Sequence, residues 1–372
     1  MSDSNRPIFI SAGDPSGDIA GSLLLKQLQL KNDKFEFFGL GGPRMRALGQ
    51  KQTVDGKELA VLGFWEVAQR FLFFKKLMKN VIESIKAKKP KVIILIDYPG
   101  FNLRLAQKIK KLNIPIIYYI SPQIWAWHAG RIKKMKELID YMLLILPFES
   151  GIFEEAGVKN RFVGHYLFDD IDLKYIKAPY DLNSNLILLM PGSRPQEVQR
   201  MLPTMIKAAE TLSKENNWRF VIAGVGGDID YLSYIKESAV PIEIIIGQTR
   251  ELISESRLVI TSSGTATLET GIIGRPMIVI YKTGWLTYQI ARRLVKLDMI
   301  ALINIVGGKK IVPELIQNNA SPENITKEAY NFLNNKDFSL EKIKELNNTT
   351  DTLGGTGTSE RAAESIMEFI NC

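Results

Sequence analysis

Nine short apolar runs punctuate the chain, at 7–12, 92–96, 114–120, 141–146, 186–190, 219–222, 242–246, 258–261 and 277–281. Each is bounded by Gly, Pro, Asn or Asp, and most are followed by a stretch of helical periodicity. Continuous apolar runs separated by helices mark parallel strands buried on both faces. The expected class is therefore α/β with doubly wound sheets. Two strand–turn–helix units, at 8–18 and 186–198, look like domain openers. The stretch 170–185 between them is polar and weakly periodic, which places a boundary near 165–180. The Thr- and Gly-rich segment 347–357 reads as a loop, and 359–370 as a final helix able to pack back on the first domain.

Length and composition fit this picture. With 372 residues, 45% apolar and 24% charged, the chain is long enough for two domains with cores of their own and too apolar for disorder. Its one cysteine is Cys372, so no intrachain disulfide is expected and a reducing compartment is. The first residues lack the features of a secretory signal, and no run of about 18 apolar residues suggests a membrane span. Charge changes the picture more. Forty-eight Lys and Arg against 40 Asp and Glu give +8, with a pI near 9.2. Such a chain meets anions readily, whether lipid, nucleic acid or phosphorylated small molecules, although plain solubility needs no more.

Several segments carry chemistry. The run 258–261 leads into Ser262-Ser263-Gly264-Thr265-Ala266-Thr267-Leu268-Glu269. A strand entering small residues and then a helix offers free N–H groups and a helix dipole to a diphosphate. Glu269, one turn in, suits sugar hydroxyls. A capped helix start without a ligand has the same signature. Pro191-Gly192-Ser193-Arg194 has the same setting, with an arginine fork suited to phosphate. The stretch 223–228 adds a third Gly-rich strand end without forming G-x-G-x-x-G. Asp97 ends the run 92–96, where a carboxylate among apolar neighbours suits a general base; a turn aspartate ahead of Pro99-Gly100 is the plainer reading. Asp14 and Asp18 flank the first turn with the same ambiguity. The two histidines, His128 and His165, have no neighbours at metal-ligand spacing, so no metal is expected. No nucleophile elbow or P-loop lysine motif occurs.

In the stretch 59–85, Phe64, Val67, Phe71, Phe74, Met78, Val81, Ile82 and Ile85 share one helical face, as a core face would. Trp65, Leu72, Phe73 and Leu77 lie off that face, interleaved with Arg70, Lys75, Lys76 and Lys79. Aromatics beside lysines suit a helix at an anionic membrane surface; a helix buried on two sides with snorkelling lysines is the alternative.

Taken together, the segments SAGDPSGD (11–18), IDYPGFNLRLA (96–106), YYISPQIWAWHAGRIKKM (118–135), LPFE (146–149), FVGH (162–165), MPGSRPQEVQRMLP (190–203), SSGTATLET (262–270), LTYQIARRLVK (286–296) and NIVGGKKIVPELIQNNASPENI (304–325) resemble the lipid-A-disaccharide synthase family, inverting glycosyltransferases of the GT-B type. The resemblance spans nearly the whole chain. It implies two Rossmann-like domains facing a cleft: an acceptor- and membrane-facing domain, 1–168 with the C-terminal helix 347–372, and a UDP-sugar-binding domain, 169–346. It implies transfer of 2,3-diacylglucosamine from UDP to the 6-hydroxyl of 2,3-diacylglucosamine 1-phosphate, with no cofactor. Asp97 matches the family's base. Arg194, Glu197, Ser263, Gly264, Thr265, Ala266, Glu269 and Asn304 match its UDP region. Asp14, Ser16, Asp18, His128 and His165 fall in the first-turn or acceptor region. Phe64, Trp65, Leu72, Phe73, Lys76 and Lys79 fall where the family meets membrane and acyl chains. A cytoplasmic enzyme, peripheral on the anionic inner membrane, is implied, with homodimers exchanging C-terminal segments and with no nucleic-acid partner. Three departures stand out: GDPSGD for GExSGD, Tyr166 in place of proline after His165, and the loop 282–285. Another GT-B sugar-nucleotide enzyme, a UDP-GlcNAc transferase or 2-epimerase, is the runner-up. A non-catalytic nucleotide- or lipid-binding protein on the same fold is a third reading.

Overall fold

A computed structural model describes residues 6–53, 67–123, 130–227, 229–284 and 298–371, with side chains except at 67–72 and 130–131. Phe64, Trp65, His128 and the block 286–296 lie outside the described residues, as does the side chain of Leu72. The chain divides into two compact units, Met1–Asp170 with Gly354–Cys372, and Ile171–Leu353.

The first unit holds a seven-stranded parallel sheet. Its strands are β1 (Ile8–Ala12), β2 (Phe37–Leu40), β3 (Lys51–Gln52), β4 (Val92–Ile96), β5 (Ile116–Tyr119), β6 (Tyr141–Leu144) and β7 (Asn160–Phe162). Their spatial order is β3-β2-β1-β4-β5-β6-β7. From β1 the chain winds outward to β3, then returns to place β4 on the other side of β1, so the order reverses between β1 and β4. The residues of β1 and β4 are all buried, as strands covered on both faces must be.

Helix Val67–Lys88 covers part of this sheet. Met78, Val81 and Ile85 are buried, as the wheel requires. Leu77 corrects that wheel: it is 3% exposed and stands one turn before Val81 on the same inward stripe. Phe73 also turns inward, packing on the core edge-to-face with Phe74. The apolar arc is wider because the helix meets helix Pro99–Ile109 as well as the sheet.

The C-terminal helix Thr358–Asn371 packs against helix Pro15–Lys31 of the same unit. Lys31 bonds Glu364, Arg161 bonds Glu368, and Phe369 stacks on Tyr141. The stretch 347–357 is not all loop. Helix Lys336–Asp351 runs through its first half, because Leu346, Thr349 and Thr350 are buried.

The second unit holds a six-stranded parallel sheet of β8 (Leu186–Met190), β9 (Arg219–Gly224), β10 (Ile242–Ile246), β11 (Leu258–Ser262), β12 (Met277–Tyr281) and β13 (Glu314–Ile316), in the order β10-β9-β8-β11-β12-β13. Here the order reverses between β8 and β11. Among the described residues, no helix is long and apolar enough to cross a membrane.

Candidate active site

In open α/β sheets, ligands gather beyond the carboxyl ends of strands where the strand order reverses. Each unit has one such point, and the chemistry-bearing turns fall there. In the first unit Ala12 pairs with Ile96, so Gly13-Asp14 and Asp97-Tyr98 emerge side by side. Asp97 and Tyr98 are both left-handed, with φ of +43° and +48°. Two consecutive non-glycine residues in that region cost about 1–3 kcal/mol each, so neighbours must hold them.

Asn102 does so. Fully buried, its Nδ2 donates to the carbonyls of Asp97 (2.8 Å) and Ile96 (3.1 Å), and its Oδ1 accepts from Ser11 Oγ (2.8 Å). Tyr118 Oη donates to the Asp97 carbonyl at 2.6 Å, and the Asp97 N–H donates to Tyr119 at 2.9 Å. The Tyr98 ring lies where only glycine fits at position 13: a Cβ there would stand 2.2 Å from it. With its backbone fixed, the Asp97 carboxyl is pushed up to about 6, by burial first and by the charge of Asp14 second. That is a base poised near neutral pH. Burial and Asp14 also raise the Tyr98 phenol.

The other first-turn candidates have structural tasks. Asp14 caps helix Pro15–Lys31 by accepting from Gly17 N at 2.7 Å. Asp18 accepts from Arg44 N (3.0 Å) and Met45 N (3.1 Å), starting the next helix, Pro43–Ala47. Ser16 is half-buried in the first helical turn. His165 is buried and neutral, its pKa pulled down to about 3 by desolvation. Its Nδ1 accepts from Leu167 N at 3.3 Å, and its carbonyl from Thr358 Oγ1 at 3.4 Å. It anchors the returning C-terminal segment.

In the second unit Thr261 pairs with Met190, which sets Ser263-Gly264-Thr265 beside Pro191–Arg194. Helix Thr265–Ile273 starts at Gly264 with no side-chain cap, and among the described residues beyond its chain neighbours no atom lies within 4 Å of a Cβ built on Gly264. Thr267 N donates to the Gly264 carbonyl at 3.1 Å, and the helix start otherwise has no side-chain acceptor of its own. Ser263 Oγ donates to the Ile300 carbonyl at 2.9 Å. Thr265 is exposed, and Ala266 and Glu269 are partly buried. Glu269 accepts from Arg250 Nε at 2.8 Å. Glu197 accepts from the N–H groups of Ser193 (3.0 Å) and Arg194 (3.3 Å), shaping the turn, and pairs with the exposed Arg194 guanidinium at 3.0 Å. The resemblance puts Asn304 in the nucleotide region. It is fully buried and its amide is satisfied by the chain: Oδ1 accepts from Ile311 N and Val312 N, and Nδ2 donates to Val312 O and Glu314. It braces the loop before β13.

Beside Tyr98 in the first unit opens a groove of about 1060 Å³ between helices Val67–Lys88 and Pro99–Ile109. Met78, Ile82 and Phe101 give it an apolar lining, and Lys76 and Lys79 stand at its exposed rim. Sequence reasoning missed Asn102, Tyr118 and Arg250. Asn102 is the asparagine of IDYPGFN, where only its motif membership was a signal. Among the described residues, no cluster of three or more His, Cys, Asp or Glu is arranged to hold a metal.

A family model described as Lipid-A-disaccharide synthetase matches residues 8–369. A lipid-A-disaccharide synthase of Trichlorobacter lovleyi is 40% identical over 378 residues, covering 98% of each chain. Among solved structures, the UDP-GlcNAc 2-epimerase of Neisseria meningitidis bound to UDP-GlcNAc superposes with a TM-score of 0.65 at 14% identity, covering 97% of this chain and 99% of that one. The calicheamicin glycosyltransferase CalG4 superposes at 0.62 and 14%, covering 99% and 98%. These two likenesses concern the fold, which is of the two-domain α/β GT-B type.

Proposed function

The chain belongs to the lipid-A-disaccharide synthase family, and from that premise we propose how its two switch points divide the glycosyl transfer that makes the lipid A disaccharide. The donor is UDP-2,3-diacylglucosamine. Its diphosphate lies against the uncapped start of helix Thr265–Ile273, with Arg194 as counter-charge. Glu269 takes sugar hydroxyls. The acceptor is 2,3-diacylglucosamine 1-phosphate, whose 6-hydroxyl loses its proton to Asp97 as the oxygen attacks the anomeric carbon. Departure of UDP from the opposite face makes the displacement inverting and single-step. N–H groups aimed at the diphosphate stabilise the charge it gains as it leaves.

The observation that carries this reading is Asp97: a carboxyl with a pKa near 6 on a rigidly held turn, beyond a buried strand at a switch point. The epimerase alternative rests on a fold likeness at 14% identity, whereas the family model and the 40% identical relative are those of the synthase. We place the enzyme at the anionic inner-membrane surface through the lysine-and-aromatic stretch 64–79, and we propose that two copies can exchange C-terminal helices. The contacts of that helix with Lys31 and Arg161 would then be reproduced between copies.

The test is purified protein in detergent micelles with both substrates. Disaccharide 1-phosphate with stoichiometric UDP is the expected result; UDP binding without any disaccharide would move the search to other acceptors or to epimerisation. Binding to anionic vesicles, with loss of binding when Trp65 and Leu72 are replaced by serine, checks the membrane placement.

A further inference from the structure

The groove beside Asp97 carries a charge pattern that the proton transfer does not use. Helix Pro99–Ile109 begins just after the Asp97–Tyr98 turn, and Gly100, Arg104 and Lys108 follow at four-residue intervals, forming one stripe along the groove. On the facing helix, Lys75, Lys79 and Lys86 stand at i, i+4 and i+11, again one stripe, with Ile82 between them. Among the described lining residues Glu83 is the one carboxylate, and it lies 3.8 Å from Lys79. Arg104, Lys108, Lys75 and Lys86 have no ion-pair partner within the described residues. Cations gathered over an apolar floor without counter-charges raise the local potential for an anion that also has an apolar part.

We propose that this rim seats the phosphomonoester of the acceptor glycolipid, with Arg104 and Lys108 as its ligands, and so selects a phosphorylated acceptor. The inference rests on the function proposed above and adds the residues that choose the substrate. Arg104 stands seven residues beyond Asp97, about 10 Å along a helix axis. A hexose with its hydroxyl at Asp97 and its anomeric phosphate pointing along the helix covers that span together with the reach of an arginine. The guanidinium fork fits phosphate oxygens bidentately; Lys108, one turn on, adds a point charge. The facing lysines contribute field, and the floor of Met78, Ile82 and Phe101 accepts an acyl chain.

The experiment crosses two substitutions with two acceptors. Wild type and R104Q/K108Q are assayed in neutral detergent micelles with the 1-phosphate acceptor and with the same glycolipid bearing a free 1-hydroxyl. Both side chains are exposed, so the melting temperature should not change. For the phosphorylated acceptor, the variant should raise KM about 10–100-fold, the loss expected for charge-assisted bonds, with donor KM unchanged. With the 1-hydroxyl acceptor, the two proteins should be equally poor. R104K should recover part of the loss.

Equal losses on both acceptors, or none on either, would overturn the proposal. It would also be overturned if the variant lost binding to anionic vesicles while keeping its micellar KM, since the rim would then serve the bilayer surface. Wild-type protein that makes no disaccharide from either acceptor would sink the underlying function, and this proposal with it.

Discussion

The two switch points share a topology and differ in sign. In the first unit, Asp14 and Asp97 bring carboxylates together on a left-handed backbone, and burial plus mutual repulsion lift Asp97 to about 6. In the second, an uncapped helix start shows N–H groups, while Glu197 and Glu269 are matched by Arg194 and Arg250. One crest concentrates negative charge under strain, and the other presents partial positive charge without it. A doubly wound sheet supplies the place; the residues directly after two strands decide whether it holds a proton acceptor or an anion.

The sharpest way to break this comparison is to remove the carboxylate. Asp97→Ala should lower turnover by about 10²–10⁴-fold with UDP affinity unchanged. In wild type kcat/KM should rise with pH through about 6, as Asp97 loses its proton, and that limb should vanish in the variant. A variant with wild-type turnover would remove Asp97 as base. The second crest should behave in the opposite way. Arg194→Ala removes an exposed side chain, leaving stability within about 0.5 kcal/mol. It should weaken UDP about 10-fold or more, as loss of a charge-assisted bond does. Calorimetric titration with UDP reads this directly; an unchanged affinity would leave Arg194 as a partner of Glu197 alone.

Between these lies the turn itself. Asn102→Ala takes a donor from the Ile96 and Asp97 carbonyls, of which Asp97 keeps Tyr118, and the acceptor from the Ser11 hydroxyl, so it should cost about 2–4 kcal/mol in denaturant unfolding. Because the strained turn then relaxes, turnover should fall by more than stability alone explains at temperatures where the variant is folded. Asn102 having no effect on either would detach the network from the base.

Much of this was legible in the sequence. The runs 92–96, 186–190, 242–246 and 277–281 coincide with strands, since apolar runs of five residues between turn signals are too short for helices; only 242–246, at the sheet edge and carrying Glu243, is not largely buried. The short edge elements were not: Lys51–Gln52, Asn160–Phe162 and Glu314–Ile316 are two or three residues long and not fully buried, so no periodicity marks them. Asp97 and the two turns stood out because strand ends can be read locally. The hydrogen-bond hub could not be read in that way, because Ser11 and Asn102 are 91 residues apart and meet only when β1 and β4 pair. Asn304 shows the converse. Its motif is local, but its full burial is a tertiary fact.

The smallest expected effect tests whether the first crest stores energy for its chemistry. The carboxyl of Asp97 has a folded pKa near 6 against an ordinary value of 3.8, so between those values the native state binds the extra proton and stability falls as pH rises. Asp97→Asn removes the ionisable group. At pH 4 the variant and wild type should be equally stable, and above pH 7 the variant should be the more stable by roughly 1–3 kcal/mol. His165 works in the other direction. Buried neutral, with its pKa near 3, it costs stability as pH falls from 6.5 toward 3, but equally in both proteins, so the difference between them isolates Asp97. Urea unfolding at a series of pH values measures that difference. A gain that appears at pH 8 and disappears at pH 4, in a protein whose turnover is lost, would mean that the enzyme gives up stability to keep a buried charge. A gap independent of pH would mean that the turn, rather than the charge, is what the fold tolerates there.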